Sequence, residues 1–185
     1  MKQYDLKELR VGILGIGTVG GGTYNVLTRN AAEIKRRTGV AINVTQVADR
    51  NIGHAKMVTN GNCVLTTDAF AIVNNPEIDV VVELIGGYTL SKELVLKAIE
   101  NGKHVVTANK ALLALHGNEI FAAAQKAGVI VAFEAAVAGG IPILKRCVKV
   151  WVQTILNGLR VILTGRPILY SPKCVKKAWH LLMRI

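Results

Sequence analysis

No aspartate or glutamate occurs between Lys145 and Ile185, a stretch that carries 9 lysines and arginines, whereas residues 1–144 hold 14 basic residues against 12 acids. The formal charge of +11 is therefore concentrated late in the chain. A basic tail can grip phosphate backbones without sequence preference. Here the cations are interleaved with Trp, Ile, Leu and Val, which suits neither a solvated arm nor a recognition helix, so no specific nucleic-acid partner is expected. Cysteine is also scarce. Cys63, Cys147 and Cys174 are odd in number, widely spaced and without a C-x-x-C pair. That excludes a disulfide framework and a cysteine zinc site, and it predicts a reducing, cytoplasmic setting. No apolar run reaches the roughly 18–20 residues that span a bilayer. The opening MKQYDLKELR lacks the apolar segment of a secretory signal, so no membrane partner is expected. His54, His104, His116 and His180 have no partner at triad or metal-ligand spacing, and no chemistry falls to them.

What the chain does have is alternation. At 51% hydrophobic and 19% charged, its 185 residues can bury a core of ordinary domain size. RVGILGIG (10–17), AINVTQVA (41–48), DVVVELIGG (79–87), KHVVTA (103–108) and GVIVAFEA (128–135) read as strands, with a short one possible at Val64 and Leu65. Between them the pattern predicts one helix from Thr18 to Arg37, with Val19, Tyr24, Val26, Leu27 and Ile34 on its inner side and Gly39 closing it. Further helices are predicted from Asp68 to Val73, to Glu100 with Ser91 as cap, and from Lys110 to Ala127. Residues 50–63 read as irregular. Short strands alternating with helices predict an α/β, doubly wound parallel sheet, a Rossmann domain over residues 1–145. Residues 146–185 follow no helix or strand period and are expected to be a poorly ordered basic tail.

Gly15-Ile16-Gly17-Thr18-Val19-Gly20 is G-x-G-x-x-G, set between the first strand and the first helix. In that context the first glycine makes a tight turn, the second admits a pyrophosphate to the backbone, and the third lets helix pack on strand. The helix start then offers unpaired N–H groups to the phosphates. Asp49, at the end of the second strand, would suit the ribose hydroxyls of NAD. Arg50 beside it would suit the 2′-phosphate of NADP, and it tilts an open choice toward NADP.

Three more stretches fall where doubly wound sheets bind ligands, at the carboxyl ends of strands. Glu83 precedes Gly86 and Gly87, which would let the nicotinamide half approach the backbone. A plain strand–helix turn explains the same residues equally well. Thr107, Ala108, Asn109 and Lys110 reach the same edge, where a lysine could polarise a carbonyl or hold an anion. Glu134, ahead of small residues, two glycines and Pro142, could help hold a hard cation or could be a capping or ribose-binding acid.

GILGIGTVGGG, VVELIGG, VTANKALLA and FEAAVAGGIPI, in this order, make residues 9–145 resemble the homoserine dehydrogenase family. The resemblance implies an oxidoreductase that interconverts L-aspartate 4-semialdehyde and L-homoserine with NAD(P)H, in threonine and methionine biosynthesis, as a homo-oligomer. It implies that Lys110 contacts the cofactor and the reacting region; the other candidate cofactor contacts, Gly15, Gly17, Thr18, Val19, Gly20, Asp49, Arg50 and Gly86, are those the pattern itself offers, with Asp49 and Arg50 equally readable as a solvated loop pair. It implies a monovalent cation, sodium, held by Glu134 with the carbonyls of Val137, Gly139 and Ile141. After Lys145 the family continues into an α+β substrate domain that supplies substrate-binding acids and a proton-donor lysine, none of which occurs in these 185 residues. Plausible codons for GRPILYSPKCVKKAW (165–179), read one nucleotide earlier, give GTTNFILTEMREKGM, the segment the family carries there. A single-base deletion after the codon for Lys145 is therefore expected, with residues 146–185 out of frame and turnover negligible. A non-catalytic dinucleotide-binding protein and a nucleic-acid binder acting through the basic tail are the rival readings.

Overall fold

Side chains along the first strand, β1 (Glu8–Leu14), alternate between two interiors. Val11 and Ile13 join a cluster with Ile16, Tyr24, Val47, Ala55 and Val82, while Leu14 joins one containing Ile72, Val81, Leu94, Val105 and Leu112. A strand buried on both faces needs helices on both. The computed structural model of the chain has that arrangement; it describes residues 8–137, 160–163 and 166–169.

After β1 come α1 (Thr18–Arg29), α2 (Ala31–Thr38), β2 (Ala41–Ala48), α3 (Ile52–Thr59), β3 (Val64–Thr66) and α4 (Ala69–Asn74). Then follow β4 (Val80–Glu83), α5 (Thr89–Glu100), β5 (His104–Thr107), α6 (Lys110–Ala127) and β6 (Val131–Ala132). The six strands form one sheet in the order β3-β2-β1-β4-β5-β6, with every pairing parallel. Buried residues of α1 and α3 pack on one face, and those of α4, α5 and α6 on the other. The doubly wound α/β class predicted from the alternation is the one observed.

A second unit begins at Phe133. Its described residues contain a 3-10 turn at Glu134–Ala136 and an antiparallel pair, β7 (Arg160–Leu163) and β8 (Arg166–Leu169). That pair was not anticipated by a reading that found no strand period in the tail. The rest of the expectation about residues 146–185, and the boundary at 145, lie outside the described residues.

Several elements differ from their predicted form. The helix expected over Thr18–Arg37 is two helices, broken at Asn30. Only Tyr24 of its predicted inner residues is buried; Val19 and Val26 are exposed. The stretch read as irregular contains α3, capped where the Asn51 side chain accepts from His54 N–H at 3.0 Å. Ser91 is no cap: it lies inside α5, fully buried, with Tyr88 at the cap position.

At the amino ends of the central strands, Arg10 and Asp79 tie β1 to β4. The guanidinium donates to both carboxylate oxygens at 3.1 Å, and the Arg10 N–H adds a 2.9 Å bond. Nearby, the Lys103 side chain is almost fully buried and donates to the Ile78 carbonyl at 2.8 Å. Burial pushes its ammonium below the usual lysine value, partly countered by Asp79, with Arg10 pushing the same way as burial. Burial also pushes the Asp79 carboxyl up, but the hydrogen bonds and charge of Arg10, helped by Lys103, outweigh it and hold the group below its ordinary 3.8. A carboxylate lowered on folding stabilises the fold above its unfolded value, and that contribution is lost as the pH falls through the folded value. Asp79→Asn should therefore be less stable than the wild type at about pH 7, with the gap closing by about pH 2 in denaturant titrations. A gap of constant size across that range would refute the assignment.

Candidate functional site

β1 and β4 are neighbours, yet the helices that follow them depart to opposite faces, α1 with the Tyr24 cluster and α5 with the Leu94 cluster. Between two diverging helices the carboxyl ends of the strands lie in a crevice, the place where open α/β sheets bind ligands. Leu84 N–H donates to the Leu14 carbonyl at 2.8 Å and holds the two strand ends together there.

On the β1 side, Gly15 turns with φ +91° and donates its N–H to the Ala48 carbonyl at 2.8 Å. A Cβ on Gly20 would stand 2.0 Å from the Gly15 carbonyl oxygen, so helix and turn touch backbone to backbone. Gly17 differs. It takes the cap position of α1 without a side-chain capping bond, and a Cβ there would meet no protein atom within 4 Å. Nothing in the fold demands a glycine at 17 for space, whereas a diphosphate against the backbone would. Thr18 and Val19 are exposed in the first turn, where helical N–H groups lack intrahelical acceptors.

Asp49 reaches this edge, and both carboxylate oxygens already accept main-chain bonds, from Ile16 N–H and Asn51 N–H, each at 2.8 Å. The acid holds the glycine turn against the end of β2. Arg50, next in sequence, is exposed.

On the β4 side, a cleft of about 260 Å³ is lined by Val19, Leu84, Gly86, Ala108, Asn109 and Lys110. Gly86 and Gly87 turn with φ +80° and +70°, a region that favours glycine. Lys110 is exposed as the first residue of α6, capped by the Asn109 side chain accepting from Leu112 N–H at 3.1 Å. A cation at the positive end of a helix is destabilising by about 0.3–1 kcal/mol, so its position asks for an anion or a polarised oxygen as partner. Glu83, read as a candidate ligand-edge acid, is 0% exposed, with its carboxylate hydrogen-bonded inside the protein. It does not reach the cleft.

The capping role of Asn109 was missed in sequence, although an asparagine directly before an apolar-periodic run is a standard start signal. Cys63 is half-buried, and burial pushes its thiol above the usual value against a hydrogen bond to Thr59. Of the predicted cation ligands, Glu134 lies in the 3-10 turn and Val137 closes it, donating its N–H to the Glu134 carbonyl at 3.1 Å. Gly139 and Ile141 lie outside the described residues. Among the described residues no helix is long and apolar enough to cross a membrane.

The family described as homoserine dehydrogenase, NAD binding domain, matches residues 15–134. The homoserine dehydrogenase of Pseudomonas aeruginosa is 62% identical over 160 residues, covering 86% of this chain and 36% of that protein. That alignment runs past Lys145, further than the motifs alone carry the resemblance. The Bacillus subtilis homoserine dehydrogenase is 39% identical over 140 residues, covering 76% of this chain and 32% of that protein. A crystal structure of a homoserine dehydrogenase from Thiobacillus denitrificans superposes with a TM-score of 0.72 at 61% identity, covering 76% of this chain and 32% of that one. The chain thus spans about a third of the length of these relatives.

The two glycines separate packing from binding. Gly20→Ala must displace backbone and should cost at least about 1–3 kcal/mol of stability. Gly17→Ala should change stability by less than about 0.5 kcal/mol while weakening dinucleotide binding at least about tenfold. Thermal unfolding and calorimetric titration of both variants test this; a Gly17→Ala protein that binds like the wild type contradicts it.

Proposed function

The chain belongs to the homoserine dehydrogenase family, and we propose that its first unit is the cofactor-holding half of an enzyme interconverting L-aspartate 4-semialdehyde and L-homoserine with NADP(H). The observation that carries this reading is the open side of Gly17 at the mouth of the β1/β4 crevice, beside a helix start with no side-chain cap. A nicotinamide dinucleotide, when bound, supplies the hydride; everything else falls to the protein.

The adenosine half would lie on the β2 side of the crevice and the nicotinamide half on the β4 side, since the two halves of the fold bind one mononucleotide each. Main-chain N–H groups at Gly17, Thr18 and Val19 would hold the diphosphate, with Gly15 and Gly20 shaping the turn. Asp49, engaged with two main-chain N–H groups, orders the glycine turn, and the exposed Arg50 would meet a 2′-phosphate. The choice of NADP over NAD rests on that division. Lys110, at the rim of the cleft with Gly86, would stabilise negative charge on the carbonyl oxygen as the aldehyde is reduced. The same reading places a monovalent cation on the Glu134 carboxylate and the main-chain oxygens of Val137, Gly139 and Ile141. An all-oxygen donor set suits a hard cation, and the 3-10 turn brings Glu134 and Val137 close together.

Arg50→Ala should lower affinity for NADPH about tenfold and for NADH less than about twofold, the loss of one charge-assisted contact. Equal losses for the two cofactors would remove the basis for NADP. The reaction is tested by grafting residues 15–134 in place of the matching segment of the Pseudomonas aeruginosa homoserine dehydrogenase. The chimera should oxidise homoserine, and Lys110→Ala within it should lower kcat by about 100-fold or more. A folded chimera without turnover, or full activity after Lys110→Ala, overturns the assignment.

A further inference from the structure

Glu83 presents a problem of cost. It ends a strand whose preceding residues are Val80, Val81 and Val82, where another apolar side chain would continue the packing. Burying a carboxylate costs several kcal/mol unless hydrogen bonds compensate. Its three partners flank the β4-side cleft: Ile85 in the turn after β4, Ser91 in the first turn of α5, and Thr107 at the end of β5. Oε1 accepts from Ile85 N–H at 3.0 Å and from Ser91 Oγ at 3.1 Å, and Oε2 accepts from Thr107 Oγ1 at 2.7 Å.

The connections continue outward in both directions. Ser91 Oγ also lies 3.0 Å from the Gly86 carbonyl. Thr107 Oγ1 accepts from Asn109 N–H at 3.0 Å, and Asn109 Nδ2 donates to the Gly87 carbonyl. A turn made of two positive-φ glycines has no side chain by which packing could order it. Its available handles are main-chain groups: Asn109 holds the Gly87 carbonyl, and the single Ser91 hydroxyl proton is shared between Glu83 and the Gly86 carbonyl. Asn109 in turn caps the helix that begins with Lys110. One buried acid thus joins the turn carrying Gly86 to the turn carrying Lys110.

We propose that Glu83 is a positioning residue: its buried carboxylate fixes the two turns against each other and so shapes the subsite for the nicotinamide half of the cofactor. The inference rests on the reading of the β4-side cleft as that subsite. A carboxylate is needed because every partner donates to it. An amide in its place can keep its oxygen toward Ile85 N–H and Ser91, but it then turns an N–H₂ toward Thr107 and reverses that bond.

The test uses the 185-residue chain with two probes, NADPH and 2′-phospho-ADP-ribose, which lacks the nicotinamide. Glu83→Gln should weaken NADPH about tenfold and the fragment less than about twofold. It should also remove the spectral shift of bound NADPH fluorescence, which reports the nicotinamide environment. Thr107→Val removes the link between the turns together with the acceptor for Asn109 N–H and should give the same split, while Thr107→Ser, which keeps the hydroxyl, should restore the wild-type values. If Glu83→Gln does not fold, the Thr107 pair decides alone. Equal losses for both probes, or no loss in folded variants, would reduce Glu83 to a structural acid and overturn the inference. Wild-type chain that binds neither probe would bring down the cofactor reading itself, and this inference with it.

Discussion

Everything at the site follows from two parallel strands whose helices leave in opposite directions. Had α5 packed on the same face as α1, it would have covered the ends of β1 and β4. Because the two helices diverge, the strand ends stay open, and the chain must hold them in register without a helix over the joint. It does so at both ends: Arg10 and Asp79 clamp the amino ends, and the Leu84–Leu14 main-chain bond clamps the carboxyl ends. Partial burial gives the ion pair more than the negligible worth of a fully exposed one, with Asp79 the more sheltered partner. The Gly15–Gly20 contact could not form on a strand end free to shift, since it leaves no slack for a single methyl group.

The crevice is built largely from main-chain groups. On one side are the uncapped start of α1 and the turn at Gly15; on the other are the turns at Gly86–Gly87 and Ala108–Asn109. Main-chain groups are precise only when their loops are, and these loops are rich in the residue that resists ordering. Both sides solve this by spending an acid on loop order. Asp49 accepts from Ile16 N–H, and Glu83 accepts from Ile85 N–H. Each anion sits behind the loop that would face the ligand. The outward-facing groups are cationic, Arg50 and Lys110, as a polyanionic ligand requires.

Much of this was legible in the sequence where one physical signal dominated. AINVTQVA became β2 and Lys110–Ala127 became α6 at the predicted limits, because strand-forming runs and a long periodic segment leave little choice. The break at Asn30 was not legible: the residues on either side form helix well, and the interruption is a local main-chain choice. α3 was lost because IGHAKMVT is short and its buried residues, Ala55 and Thr59, are too small or polar to register as an apolar stripe. Ser91 looked like a cap because serine near a helix start usually is one; the three-dimensional proximity of Glu83 and the Gly86 carbonyl gives it other partners. Val19 looked like core by spacing and is exposed, since the side of α1 nearest the crevice has no layer above it.

The adjacent pair Asp49-Arg50 shows what residue type alone leaves open. Read in one dimension, the two point to different cofactors. In the fold the two side chains part just past the end of β2. Asp49 turns back toward the Ile16 amide and Arg50 outward to solvent. An acid at that position signals ribose recognition only if its oxygens face the ligand. Here each already takes a main-chain N–H, and the exposed charge beside them is the Arg50 guanidinium. Which neighbour the glycine turn captures is a property of geometry that the letters D and R do not carry.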